Sequence, residues 1–180
     1  VGGALALAVR TELAQPGRAI GEVLLAQVLL ARGDAKAAAE LMAPAAATLE
    51  LTGYSWGPLS LMYLATALAQ LGEVAASAMA LSRAQSRHGT KSALFAPELG
   101  VARAWRLATI GDTHAAVAAA RDAARTAERT GQDAVAVWAW HQAALLGDTR
   151  AADGLAKLAK TVDCAFTRAA VEQAQSGSHG

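Results

Sequence analysis

The chain has 180 residues, enough for a sizeable core, with 16 basic and 15 acidic side chains spread along it and a formal net charge of +1. That balance excludes a dedicated nucleic-acid surface, which needs a basic face, and the single Cys164 excludes a disulfide framework or a cysteine-based metal site. Apolar residues make up 54% and aromatics only 4%, with alanine at more than a quarter of positions and no period-two alternation, so the chain is expected to be all-α.

Ten helices are predicted. The first, about Ala4–Ala14, stops before Pro16-Gly17, and the second covers about Arg18–Ala31. A long helix follows Asp34 and ends near Thr52 at Gly53, with a kink or break expected near Ala43 because Pro44 lies inside it. Trp56–Leu71 and Val74–His88 come next, the latter closed by Gly89. Thr90–Ala96 reads as a loop ahead of Pro97, a residue suited to a first helical turn. Pro97–Ile110 and Thr113–Thr130 follow, closed by Gly131, then Asp133–Leu146, Thr149–Val162 and a tenth helix at about Ala165–Gln175. Ser176–Gly180 is either the turn before a further helix or an appended tail. No apolar run reaches the ~18 residues of a membrane span, and Val1–Val9 lacks the basic lead and cleavage pattern of a signal peptide. The chain begins without Met and reads as a piece of a longer protein, and its lone cysteine suits a reducing cytoplasm.

Four junctions share one chemistry. Ala31–Asp34, Gln70–Glu73, Thr109–Asp112 and Leu145–Asp148 each end a helix on Gly and continue with an acid; Gly33, Gly72, Gly111 and Gly147 lie 39, 39 and 36 residues apart. Gly accepts the left-handed conformation that closes a helix, and the acid is expected to cap the next one. A fixed period of this size means stacked helical hairpins, here spanning about 18–53, 56–89, 97–131 and 133–163 of a single domain, with partial elements at 1–15 and 165–180.

Aligned on these glycines, Ala26, Ala65 and Ala104 recur seven residues before the anchor and Leu29, Leu68 and Leu107 four before it. Ala38, Ser77, Ala116 and Ala152 recur five after it, and Ala45, Ala84, Ala123 and Ala159 twelve after it. The pattern resembles the tetratricopeptide repeat, a helix-turn-helix unit of about 34 residues. It is a degenerate version: the bulky residue nine after the anchor, Met42 then Leu81, shrinks to Ala120 and Ala156, and Trp140 stands where the fourth repeat should carry a small residue.

No catalytic, metal or cofactor constellation is readable. Gly89-Thr90-Lys91-Ser92 matches only the end of a phosphate-binding loop, lacks the earlier glycine (Ala84 stands there) and follows a helix instead of a strand. His88, His114, His141 and His179 have no His or Cys at metal-ligand spacing. Arg121, Arg125 and Arg129 form one stripe, read either as a solvated face with Asp122 and Glu128 as local partners or as an anion surface extended by Arg103 and Arg106. The concave face of a helical solenoid is the natural place for recognition. Six and two residues before the anchors, the first helices carry Gln27, Thr66, Trp105 and His141, and then Gln70 and Thr109, as candidate binding residues. Trp105 offers a rigid ring with one donor, or else packs on the next repeat.

The C-terminal third is the most distinctive. Trp140-His141-Gln142-Ala143-Ala144-Leu145-Leu146-Gly147-Asp148, then Arg150-Ala151-Ala152, Leu155, Leu158-Ala159, Val162-Asp163 and Arg168-Ala169-Ala170, resembles the helical-repeat region of the large ATP-binding LuxR-family regulators of actinobacteria. The resemblance covers about Ala93–Gln175. It implies a non-enzymatic segment that senses a protein or small-molecule effector and couples it to an ATPase module and a DNA-binding helix-turn-helix, neither of which is in this chain. On that reading this segment contacts neither nucleic acid nor membrane, and its oligomeric state is open. The alternative is a free-standing adaptor that scaffolds protein partners.

Overall fold

The computed structural model describes the backbone of residues 2–177 and the side chains of residues 15–176, so the end of the predicted C-terminal tail, with His179, lies outside the described residues. Within them the fold is all-α and has no strand. Nine α-helices run α1 (Gly2–Ala31), α2 (Ala35–Glu50), α3 (Trp56–Gln70), α4 (Val74–Arg87), α5 (Ala96–Thr109), α6 (Thr113–Arg129), α7 (Asp133–Leu145), α8 (Ala151–Leu158) and α9 (Ala165–Gly177). Successive helices pack as hairpins, α1 on α2, α3 on α4, α5 on α6 and α7 on α8. The first helices α1, α3, α5, α7, followed by α9, lie side by side as an inner wall.

All four anchor glycines adopt the left-handed conformation, with φ of 83°, 77°, 83° and 94°. Each makes the same paired closure. Gly33 N–H donates to the Leu30 carbonyl and Asp34 N–H reaches back to Leu29; Gly72 and Glu73, Gly111 and Asp112, and Gly147 and Asp148 repeat the pattern. This is the two-bond termination that satisfies the last carbonyls of a helix. The acids diverge, however. Asp34 and Asp112 cap the following helix through the N–H groups of Ala37 and Ala115, at 3.0 and 3.1 Å. Glu73 makes no such bond, while Asp148 accepts from the Arg150 N–H at 2.9 Å and also pairs with Arg121; α8 begins at Ala151 and is shorter than Thr149–Val162.

Three boundaries depart from expectation. The first two predicted helices are one, α1, continuous through Pro16. The fixed φ of proline is helical, and the stripe Ala19, Val23, Ala26 and Leu30 that follows it is buried, which packs the segment onto α2. Of the kink or break expected near Ala43, the break does not occur: α2 runs as one helix through Pro44, which is exposed while Met42, Ala45, Ala46 and Leu49 around it are buried. Gly89 does not close α4 by a left-handed turn: its φ is −157°, ordinary extended backbone, and Thr90–Phe95 forms a 3-10 helical turn where a loop was expected.

The small residues sit where helices cross. Ala26, Ala65 and Ala104 are fully buried, and the Ser77 hydroxyl donates to the Ala65 carbonyl at 3.0 Å, so α3 and α4 approach closely there. The fourth hairpin solves the same crossing differently. Trp140 replaces the alanine, its indole N–H donates to Glu128 at 2.7 Å, and Gly154 on α8 gives way to it: a Cβ at Gly154 would lie 2.6 Å from the ring. The swap of a small residue from one helix to its partner explains the broken register. Gly154→Ala is therefore expected to lower stability by about 1–3 kcal/mol in a denaturant titration, through overpacking against a ring with no room to turn. Gly89→Ala, which meets nothing within 4 Å, should be nearly neutral.

Candidate functional site

The inner wall draws on positions nine, six, five and two residues before the anchor, though not all four on every first helix: Thr66, six before Gly72, is fully buried and turned back onto its own helix. On α3 the wall carries Tyr63 and Gln70, on α5 Ala102 and Trp105, on α7 Trp138, His141 and Gln142. The middle helix has only the methyl of Ala102 at the position where its neighbours carry rings. Tyr63 and Trp138 consequently meet across it, edge to face, with centroids 5.2 Å apart. The second and fourth hairpins thus touch through their inner side chains, and the wall curls into a cleft.

That cleft has a volume of about 880 Å³ and is bounded by α1, α3, α7 and α9. Tyr63, Trp138 and Phe166 supply rings, Val28 and Val135 aliphatic wall, and Gln27, Arg32 and Gln173 polar groups. Phe166 packs against His141 at 5.2 Å between centroids. Burial, with the Glu98 carboxyl nearby, pushes the Tyr63 phenol well above its ordinary pKa, and a hydrogen bond from Gln27 opposes this only in part, so the phenol keeps its proton.

Beside the cleft runs a chain of polar side chains. Trp105 Nε1–H donates to Gln142 Oε1 at 2.8 Å, and Gln70 Nε2 donates to the same oxygen at 2.9 Å. An indole nitrogen can only donate, so the Gln142 oxygen must face Trp105 and its N–H2 must face His141 Nδ1, 3.4 Å away. His141 then carries its proton on Nε2 and donates to Gln173 Oε1 at 3.0 Å. Burial lowers the His141 pKa below its ordinary value against the opposing effect of that bond, which keeps the ring neutral.

Of the six candidate concave residues, Gln70, Trp105 and His141 are brought together by this chain, through Gln142, and Gln27 lines the cleft. The other two do not join them. Thr66 is fully buried with its hydroxyl bonded to the Met62 carbonyl one turn back, because this position on α3 faces packed helices. Thr109 is held by Arg106, donating to its carbonyl at 2.7 Å and accepting from its guanidinium at 2.9 Å. Sequence reasoning missed Tyr63, Trp138, Phe166, Arg32, Gln142 and Gln173. One signal was present: Tyr63 and Trp138 both stand nine residues before an anchor, on the face that carries the other candidates.

The basic stripe divides. Arg121 forms a two-pronged pair with Asp148, at 2.8 and 2.7 Å, tying α6 to the α7–α8 turn. The Asp148 side chain is completely buried, and burial alone would raise its pKa; the Arg121 bond and the Arg150 N–H more than reverse this, so it lies below the ordinary value. Arg121 is thus a structural group and not part of a free anion surface. Arg129 bonds Thr126 at 2.8 Å, and Arg125 is exposed on the same helix near Glu128. The Gly89–Ser92 run opens the 3-10 turn after α4, where the buried Ser92 Oγ accepts from Gly89 N–H at 3.0 Å and meets His88 Nδ1 at 3.0 Å. Among the described residues no group of three or more His, Cys, Asp or Glu could hold a metal ion, and no helix is long and apolar enough to cross a membrane.

Comparison with protein-family models, with curated proteins and with solved structures finds no match.

Two expectations follow from the charges. Arg121→Gln should cost up to about 3 kcal/mol in a denaturant titration by leaving the buried Asp148 carboxylate without its counter-ion, whereas Arg125→Gln should stay within about 0.5 kcal/mol. Glu98 on α5 is buried with Oε2 unpartnered, and burial raises its pKa from 4.5 to about 7, its own backbone N–H opposing. The folded state therefore holds a proton that the unfolded chain releases. The associated stability is complete below pH 4.5 and is lost as the pH rises through about 7, a change on the order of 3 kcal/mol. Glu98→Gln should flatten that part of the pH–stability curve.

Proposed function

We propose that this chain is a sensing segment of a LuxR-family transcriptional regulator, in which the concave cleft receives an effector and the helical array passes its binding to flanking ATPase and DNA-binding modules. The observation that carries the reading is the cleft of about 880 Å³ on the inner side of the array, walled by three aromatic rings and edged by a few polar side chains. Its size lies in the range of small-molecule sites, and its mostly apolar wall with a few fixed polar groups is the usual composition of such sites. The resemblance of the C-terminal third to regulators of this family supplies the biological role. Binding, and not catalysis, is what the side chains are suited to: the inner polar groups are amides, an indole and a neutral imidazole already bonded to one another, with no nucleophile poised beside a base.

The coupling follows from the position of the cleft. Its walls come from the first, second and fourth hairpins and from α9, so an occupant bridges elements far apart in sequence and favours one curvature of the array over others. The test is a thermal-shift screen of a small-molecule library against the chain and its Ala169→Trp variant, which fills the cleft from α9. Compounds that stabilise the chain should do so by about 2.7 kcal/mol at a hundredfold excess over Kd and should have no effect on the variant. Sub-micromolar sequence-dependent binding of duplex DNA, hydrolysis of ATP by the chain, or stabilising compounds that act equally on the variant would overturn the reading.

A further inference from the structure

We infer that the cleft is selective for a small organic acid: an aromatic or otherwise apolar body carrying a single anionic head, bound with the head at Arg32 and Gln173 and the body against Tyr63, Trp138 and Phe166. The inference rests on the cleft being the receiving site and adds the chemistry of its occupant. The evidence is the sign of the polar groups that border the space. Among the described residues Arg32 is the one charged side chain in the wall, and none of the acidic residues among them lines it. Arg32 takes part in none of the ion pairs among the described residues. The acid closest to it in sequence, Asp34, is occupied in capping Ala37. A guanidinium left without a partner at the edge of an apolar cleft complements a carboxylate, sulfonate or phosphate, to which it can bond with two parallel N–H groups.

The polar chain beside the cleft points the same way. Trp105, which can only donate, sets its direction: Gln142 presents N–H to His141, His141 presents Nε2–H to Gln173, and the Gln173 oxygen already accepts that bond. With its oxygen turned to His141, Gln173 adds the two N–H groups of its amide as donors for an occupant. Gln27, the remaining polar wall residue, is engaged by the Tyr63 phenol. The Glu98 carboxyl near Tyr63 is not part of the wall.

Two fluorescent probes with the same ring system separate head from body: 1-anilinonaphthalene-8-sulfonate and its uncharged analogue N-phenyl-1-naphthylamine. The full 180-residue chain should bind one sulfonate dye per molecule, more tightly than the neutral dye. Arg32→Gln should weaken the sulfonate dye about tenfold and leave the neutral dye within about twofold. Ala169→Trp on α9 and Val28→Trp on the opposite wall should each abolish binding of both dyes; two variants from different helices guard against one that disturbs the fold, which a thermal melt reads independently. Equal affinity for the two dyes, with Arg32→Gln affecting neither and the cleft-filling variants abolishing both, would overturn the acid selectivity while leaving the cleft as the receiving site. No binding of either dye to the chain, or binding unaffected by both cleft-filling variants, would overturn the cleft assignment as well.

Discussion

The left-handed glycine that closes each first helix is the constraint on which the rest of the molecule depends. It ends the helix within one residue and satisfies two carbonyls with its own N–H and that of the acid after it, so the chain turns from first to second helix in the same way at Gly33, Gly72, Gly111 and Gly147. Because the closure recurs seven residues after the crossing position, Ala26, Ala65, Ala104 or Trp140, similar faces of the first helices turn inward. A side chain with a Cβ at the four glycine positions would have to adopt a strained backbone conformation, and the phase of the inner wall would be lost with it.

Given that phase, size decides shape. Alanine and serine at the crossings bring paired helices close, and the inner wall inherits the resulting curvature. Ala102 is the critical small residue of the wall: where α5 has one methyl, α3 and α7 carry Tyr63 and Trp138, and the two rings meet over it. With aromatics so scarce, the concentration of Tyr63, Trp138, His141 and Phe166 around one cleft is a feature of the tertiary structure. In the fourth hairpin the same economy of space runs in reverse, since Trp140 occupies the crossing and Gly154 withdraws.

The polar groups of the inner wall serve two purposes at once. Gln142, one turn along α7 from Trp138, joins α3, α5 and α7 by accepting from Gln70 and Trp105. Through His141 the chain also reaches α9, the helix that closes the cleft, so any occupant that engages Gln173 acts on a bonded path that runs back to the second hairpin. The Arg121–Asp148 pair holds the outer side of the same region, where the α7–α8 turn leans on α6.

The sequence by itself determined the all-α class, most of the helices and the closures between them, because those follow from local chemistry: glycine at a left-handed turn, alanine at a crossing, a period near 39 residues. It was less decisive wherever one residue could serve two masters. Pro16 read as a helix stop and Pro44 as a kink or break, yet each lies within one helix whose neighbours are buried; Asp148 read as a cap, and it accepts the Arg150 N–H, yet a cation 27 residues earlier in the chain also claims it. Only the tertiary structure decided that Gln70 and Gln142, 72 residues apart, share a hydrogen bond, that Thr66 is buried away from the groove, and that four helices enclose a cleft with Arg32 at its edge. Those outcomes depend on how far the array curls from one hairpin to the next. That curl is a sum of small side-chain volumes across several interfaces, and no local pattern in the chain encodes it.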